Sequence, residues 1–175
     1  NRGFLIHALE LTGRSTAAEL DRARDLAIEH YVPEWVVALI GSRLARAGRL
    51  PEARVLLDTA RARTGEGPLA RAVLERLAGE IAAAEGDEHG AVERFRTAVT
   101  VVPRDVDVHF TLARQLEAIG DTAGAEAHYR EITARPLFGN EYLVPGILAH
   151  YRLARLLEAT DRAAEAAALY RRFLE

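Results

Sequence analysis

Apolar residues recur along this chain at intervals of three and four, and no run alternates with the period of two that a strand requires. The spacing predicts ten helices, at about 4–11, 16–29, 34–47, 51–63, 69–84, 88–100, 106–119, 122–134, 147–159 and 162–174. Glycine and proline punctuate the edges of these segments, at Pro33, Gly48, Gly86, Pro103, Gly120, Pro136 and Pro145. Pro51 falls just inside a predicted helix start, where its missing N–H costs nothing. Short connections fold the helices into five antiparallel hairpins.

The apolar pattern also repeats. A small residue on one helix is followed by a turn, then by an alanine, a large apolar residue and a last core residue. The four copies are Gly41–Gly48–Ala53–Leu57–Ala60, Gly79–Gly86–Ala91–Phe95–Ala98, Ala113–Gly120–Ala125–Tyr129–Ile132 and Ala154–Asp161–Ala166–Tyr170–Phe173. Their starts lie 38, 34 and 41 residues apart, a period that signals stacked helical hairpins. A single hairpin cannot bury its apolar face alone, so the copies must stack. Small residues on both helices of a pair are expected to let the two axes approach, and Leu57, Phe95, Tyr129 and Tyr170 to fill the wedge before the next pair.

These residues resemble the tetratricopeptide repeat, a helix–turn–helix unit of 34 residues. The second copy matches best, with Gly79, Ala82, Gly86-Asp87, Ala91, Phe95, Ala98 and Pro103 in place. Copies three and four align without a gap, and Ala113-Arg114 to Glu117-Ala118 recurs as Ala154-Arg155 to Glu158-Ala159. The resemblance is to bacterial repeat proteins, of which this chain reads as a fragment. It implies an all-α fold, a right-handed α-solenoid of about five antiparallel helix pairs, forming one domain over residues 1–175. Within it, residues 34–175 hold four recognisable repeats. Residues 1–33 read as a degenerate or capping pair. Gly13-Arg14 and Ala18 fit the pattern there, but Ile6, Arg22 and Asp25 fall where a small residue and two core residues belong. An insertion at 135–146 separates copies three and four, with Phe138 and Tyr142 either contacting a partner or packing on a neighbouring hairpin.

Composition narrows the function classes. All 23 basic residues are arginine, against 26 acids, for a net charge of −3 with both signs mixed along every helix. A nucleic-acid binder ordinarily shows a basic excess or stripe, so no nucleic-acid partner is expected. The arginine bias fits a GC-rich genome. Cysteine is absent, which excludes disulfides and thiolate metal sites but suits cytoplasm and periplasm alike; the reading taken is cytoplasmic. The longest apolar run, Val36–Ile40, is far short of the roughly 20 residues of a membrane span. The chain opens at Asn1 without methionine, so an upstream segment is expected.

Chemistry-bearing patterns are scarce. The six histidines never form a metal-ligand pair such as HExxH, and neither Ser15 nor Ser42 sits in a nucleophile elbow. The chain is therefore read as no enzyme, without cofactor, catalytic residues or metal ligands. The resemblance places the partner groove on the first helices, and projecting its groove positions selects Arg76, Glu80, Phe110, Arg114, Glu117, Tyr151, Arg155 and Glu158. Ala38, Ser42, Arg46, Ala83 and Arg152 fall on the same groove-facing positions. Aromatic rings there supply contact area, and arginine forks grip carbonyls or carboxylates. The bland reading of the same face is internal pairing at i,i+3, Arg114 with Glu117 and Arg155 with Glu158. The expected function is a protein–protein interaction scaffold taking a peptide or helix of a partner. The alternative is a structural element that self-associates, as a homodimer, through Leu169 and Phe173 at an uncapped carboxy-terminal helix face.

Overall fold

The computed structural model describes residues 17–30, 32–63, 65, 67–135 and 143–174, with side chains for all of these except Leu143, Phe173 and Leu174. Nine helices and no strand occur among the described residues. They are α1 (Ala17–Glu29), α2 (Glu34–Arg46), α3 (Leu50–Arg63), α4 (Pro68–Ala84), α5 (Glu88–Val101), α6 (Val106–Ala118), α7 (Thr122–Thr133), α8 (Leu143–Glu158) and α9 (Ala163–Leu174). The predicted helix at 4–11 lies outside the described residues, as do Ile6, Gly13-Arg14, Phe138 and Tyr142. The ends agree with the sequence reading to within a residue or so, except that α8 begins at Leu143. Pro145 thus sits in its first turn, where an N–H has no intrahelical acceptor to lose.

The repeated turn is one hydrogen-bonded motif made four times. Gly48, Gly86 and Gly120 adopt φ of 75°, 84° and 80°, the left-handed conformation that ends a helix. The next residue's N–H reaches back to a carbonyl of the last turn: Arg49 to Leu44, Asp87 to Ala82, Asp121 to Leu116 and Arg162 to Leu157, at 2.8–2.9 Å. The fourth copy does this with Asp161 at φ 58°, which costs on the order of 1 kcal/mol relative to glycine.

The Asp-or-Arg choice after the turn has a physical meaning. Asp87 and Asp121 cap the next helix, accepting from the N–H of Gly90 and of Gly124 at 2.9 Å. Arginine cannot accept, and instead reaches back to acids of the preceding repeat. Arg49 binds Asp21 on α1 as well as Glu52, and Arg162 binds Glu126 on α7. The Asp21, Glu52 and Glu126 carboxyls are held below the usual carboxylate range, chiefly by these hydrogen bonds.

The chain forms two compact units, divided between Arg94 and Phe95 within α5. In the first, Val37, Leu44, Leu56 and Leu77 are at most 1% exposed and centre a core that Ala27 of α1 joins. Arg63 at the end of α3 donates to the carbonyls of Ala27, Ile28 and His30, satisfying the otherwise unpaired end of α1. Arg22 and Asp25, which depart from the repeat pattern, are exposed; Ala18, which fits it by count, is exposed as well, while Ala27 is buried with Leu20 and Ala23 packed against the core. The apolar face of α1 is therefore made by Leu20, Ala23 and Ala27.

Gly41 also does something other than expected. A Cβ there meets Cδ1 and Cδ2 of Leu77 at 2.7 and 2.9 Å. Its bare backbone thus admits Leu77 of α4, the first helix of the next pair, rather than only drawing in its own partner α3. The second unit centres on Leu112, Leu116, Tyr129, Ile132, Leu153 and Leu157, each at most 1% exposed, with α6 on α7, α7 on α8, and α8 on α9. Among the described residues, no helix is long and apolar enough to cross a membrane.

Candidate functional site

The groove residues expected from sequence behave differently in the two units. In the first, Ala38 is fully covered and Ser42 nearly so. Glu80 is buried and takes a forked contact from Arg46, with Nε at 3.0 Å. That carboxylate is a neutralised packing element between α2 and α4. Arg76, on the same helix, is half-buried.

In the second unit the expected residues assemble into two related clusters. Phe110 of α6 meets Tyr129 of α7 edge to face, centroids 6.0 Å apart at 61°, a favoured aromatic arrangement. Tyr129 donates its hydroxyl to Glu117 Oε2, and Arg152 Nη1 of α8 donates to the same oxygen at 2.9 Å. Burial and the Glu117 carboxylate push the Tyr129 hydroxyl well above its usual range, so it remains a donor. Glu117 is thus engaged by Tyr129 and Arg152. Arg114 is half-buried one turn before it.

One repeat later the arrangement recurs. Tyr151 of α8 lies 6.1 Å from Tyr170 of α9, centroid to centroid, and Tyr170 donates to Glu158 Oε2 at 3.0 Å. The Arg155 guanidinium stands over the Tyr151 ring, 5.9 Å from its centroid, within cation–π range. Tyr151 keeps 38% of its surface exposed and is among the few large apolar side chains so open. Glu158 is exposed. Of the residues put forward for self-association, Leu169 is half-buried, and the Phe173 side chain lies outside those described.

Sequence reasoning placed Tyr129 and Tyr170 as apolar fillers and missed their hydroxyls. The available signal was the glutamate that precedes each by twelve residues, Glu117 before Tyr129 and Glu158 before Tyr170. It also counted Arg152 among the groove-facing positions, whereas Arg152 ties α8 to Glu117.

A separate titratable pair lies between α6 and α7. His109 Nδ1 and His128 Nδ1 are 3.0 Å apart, and His109 Nε2 is 3.1 Å from the Pro103 carbonyl. A carbonyl only accepts, so Nε2 carries the proton. The neutral ring then accepts at Nδ1, and His128 donates. Burial first, and then repulsion from Arg96 and from His109 whenever that ring is also protonated, lower the His128 pKa from 6.5, with Glu131 and Asp121 opposing. The unfolded chain therefore binds more protons below about pH 6.5, and stability falls as pH drops through that value. The urea midpoint is expected to be lower at pH 5.5 than at 7.5. In His128→Asn, whose amide can still donate to His109, that difference should shrink; an unchanged difference would show that other groups set the pH dependence. Among the described residues, no cluster of three or more histidines and acids is placed to hold a metal ion.

No family model matches the chain, and no curated protein matches it. The fold is similar to that in the crystal structure of MamA, with a TM-score of 0.60 and 15% identity over 97% of this chain and 92% of that one. MamA is an all-helical protein of the tetratricopeptide-like kind. Identity this low carries the fold and not the activity.

Proposed function

We propose that this chain is a protein-interaction module, and that Phe110, Arg114, Tyr151 and Arg155 of its second unit receive a peptide or helix of a partner protein. The observation that carries this reading is the half-open Tyr151 ring, stacked under Arg155 and backed by Tyr170. An aromatic ring fixed by its neighbours offers contact area at little entropic cost, and tyrosine and arginine are the residue types that dominate interface energetics. The two acids of the same face, Glu117 and Glu158, already accept hydrogen bonds from tyrosines. The groups of this face that donate several hydrogen bonds at once are the arginines, which favours partner segments bearing carboxylates and exposed carbonyls. The helical repeat fold, which other proteins use to present a surface, supports this reading. Such a module needs no catalytic residue and no cofactor.

Selection from a displayed library of random peptides tests it. Retained peptides should be acidic, and each should bind Tyr151→Ala/Arg155→Ala about tenfold or more weakly, the loss expected when a charge-assisted contact and an aromatic anchor are removed together. Peptides held equally by both chains, with native helical spectra, would sink this assignment of the site.

A further inference from the structure

The imidazole pair between α6 and α7 shares those helices with the partner-facing ring Phe110. His109 precedes Phe110 on α6 and His128 precedes Tyr129 on α7, so both contacts bridge the same two helices at neighbouring residues. His109 is 5% exposed and His128 half-buried. Proton counting gives the pair three states. With no added proton, His109 Nε2–H donates to the Pro103 carbonyl and His128 donates to His109 Nδ1. One added proton is accommodated. The His109 cation then donates from both nitrogens, and His128 accepts at Nδ1 with its own proton on Nε2. A second proton puts N–H groups on both Nδ1 atoms, 3.0 Å apart, with two positive charges and no acceptor between them. The surroundings do not relieve that state. The charged groups acting on His128 besides His109 are Arg96 of α5 and Asp121 and Glu131 of α7, and Glu131 also acts on His109. Glu131 is paired with Arg135, which donates to the Pro103 carbonyl as well. Asp121 caps α7 at Gly124. Both acids are thus already engaged, and Arg96 adds repulsion.

We infer that the His109–His128 pair is a proton-operated latch: closed, it holds α6 against α7 with Phe110 in place, and doubly protonated it parts and withdraws Phe110 from the partner segment. The latch stands on its own geometry, while its effect on binding rests on the peptide site proposed above. Acid therefore releases the partner, and by linkage a bound partner opposes uptake of the second proton. The two steps belong to the pair rather than to either ring. The second falls below the ordinary histidine range, the direction in which burial and Arg96 move His128.

Histidine ring resonances of the full chain, followed by NMR from about pH 7.5 to about pH 4.5, test the latch without any partner. Two separated steps are expected, with the Phe110–Tyr129 ring cross-peaks lost at the second. In His128→Asn those cross-peaks should persist, because the amide donates to a neutral His109 and accepts from a charged one. A single step, or cross-peaks that survive double protonation, overturns the latch. So does loss of the whole helical spectrum at the second step, since the pair would then govern only stability. Binding is read with an acidic peptide retained in the selection above. Across that pH range its affinity should fall about tenfold more for the parent chain than for His128→Asn, the peptide's own titration cancelling in the comparison. Equal falls overturn the regulation. Tyr151→Ala/Arg155→Ala tests the peptide site and the ring titration tests the latch, so either can fail alone.

Discussion

Tyr129→Ala is expected to destabilise the second unit by about 3–5 kcal/mol, the range for truncating a large, fully buried ring. Tyr129 has no exposed surface, packs edge to face on Phe110, and donates to Glu117. Two effects therefore overlap in the alanine variant, a cavity and a lost hydrogen bond. Tyr129→Phe separates them, because it keeps the ring and removes only the hydroxyl. It should cost about 1–2 kcal/mol, since Glu117 retains Arg152 as a charged donor. Urea denaturation followed by far-UV circular dichroism checks both. Equal losses in the two variants would show that the hydrogen bond, and not packing, makes this position expensive to change.

The second large effect lies in the first unit, where Leu77 occupies the space beside Gly41. Leu77→Ala should cost about 2–5 kcal/mol, because it empties a fully buried site. Gly41→Ala sets two opposed terms against each other. Alanine is favoured over glycine in a helix interior by about 1 kcal/mol. The new methyl, at 2.7 and 2.9 Å from the Leu77 methyl groups, forces a repacking that costs about 1–3 kcal/mol. The clash is expected to win or nearly balance. The double variant, Gly41→Ala/Leu77→Ala, is the decisive one. The methyl added on α2 then enters the space that the leucine leaves, so the two losses should fall short of their sum by about 1 kcal/mol. Trp35, the single tryptophan, sits on α2 and reports this unit by fluorescence. Strict additivity would mean that the two positions do not share that space.

Much of the fold was legible because it is local. Helix periodicity, left-handed glycines and capping aspartates each act within a few residues, so Gly48, Gly86, Gly120, Asp87 and Asp121 signal their roles in any context. The α8 start was misplaced because proline in a first turn and proline in a loop look alike along the chain. In α1, Ala18 matched the repeat by counting yet is exposed, because burial is decided by which face meets α2 and α3. The candidate site was legible only as a set of positions. Glu80 and Glu117 were both selected by count as groove-facing, yet Arg46 and Arg152 from neighbouring helices claim them, and no local rule names those partners.

By itself the sequence determined the class of the molecule, a run of helical hairpins with four copies of one turn, because short-range sterics and hydrogen bonding act on residues close in the chain. Tertiary structure alone decided which charges are consumed in packing, that Leu77 seats itself on Gly41, and that Tyr151 stays open while Tyr129 is sealed. Those outcomes depend on neighbours about 35 residues away, whose approach is set by the packing of whole helices and leaves no mark in local pattern.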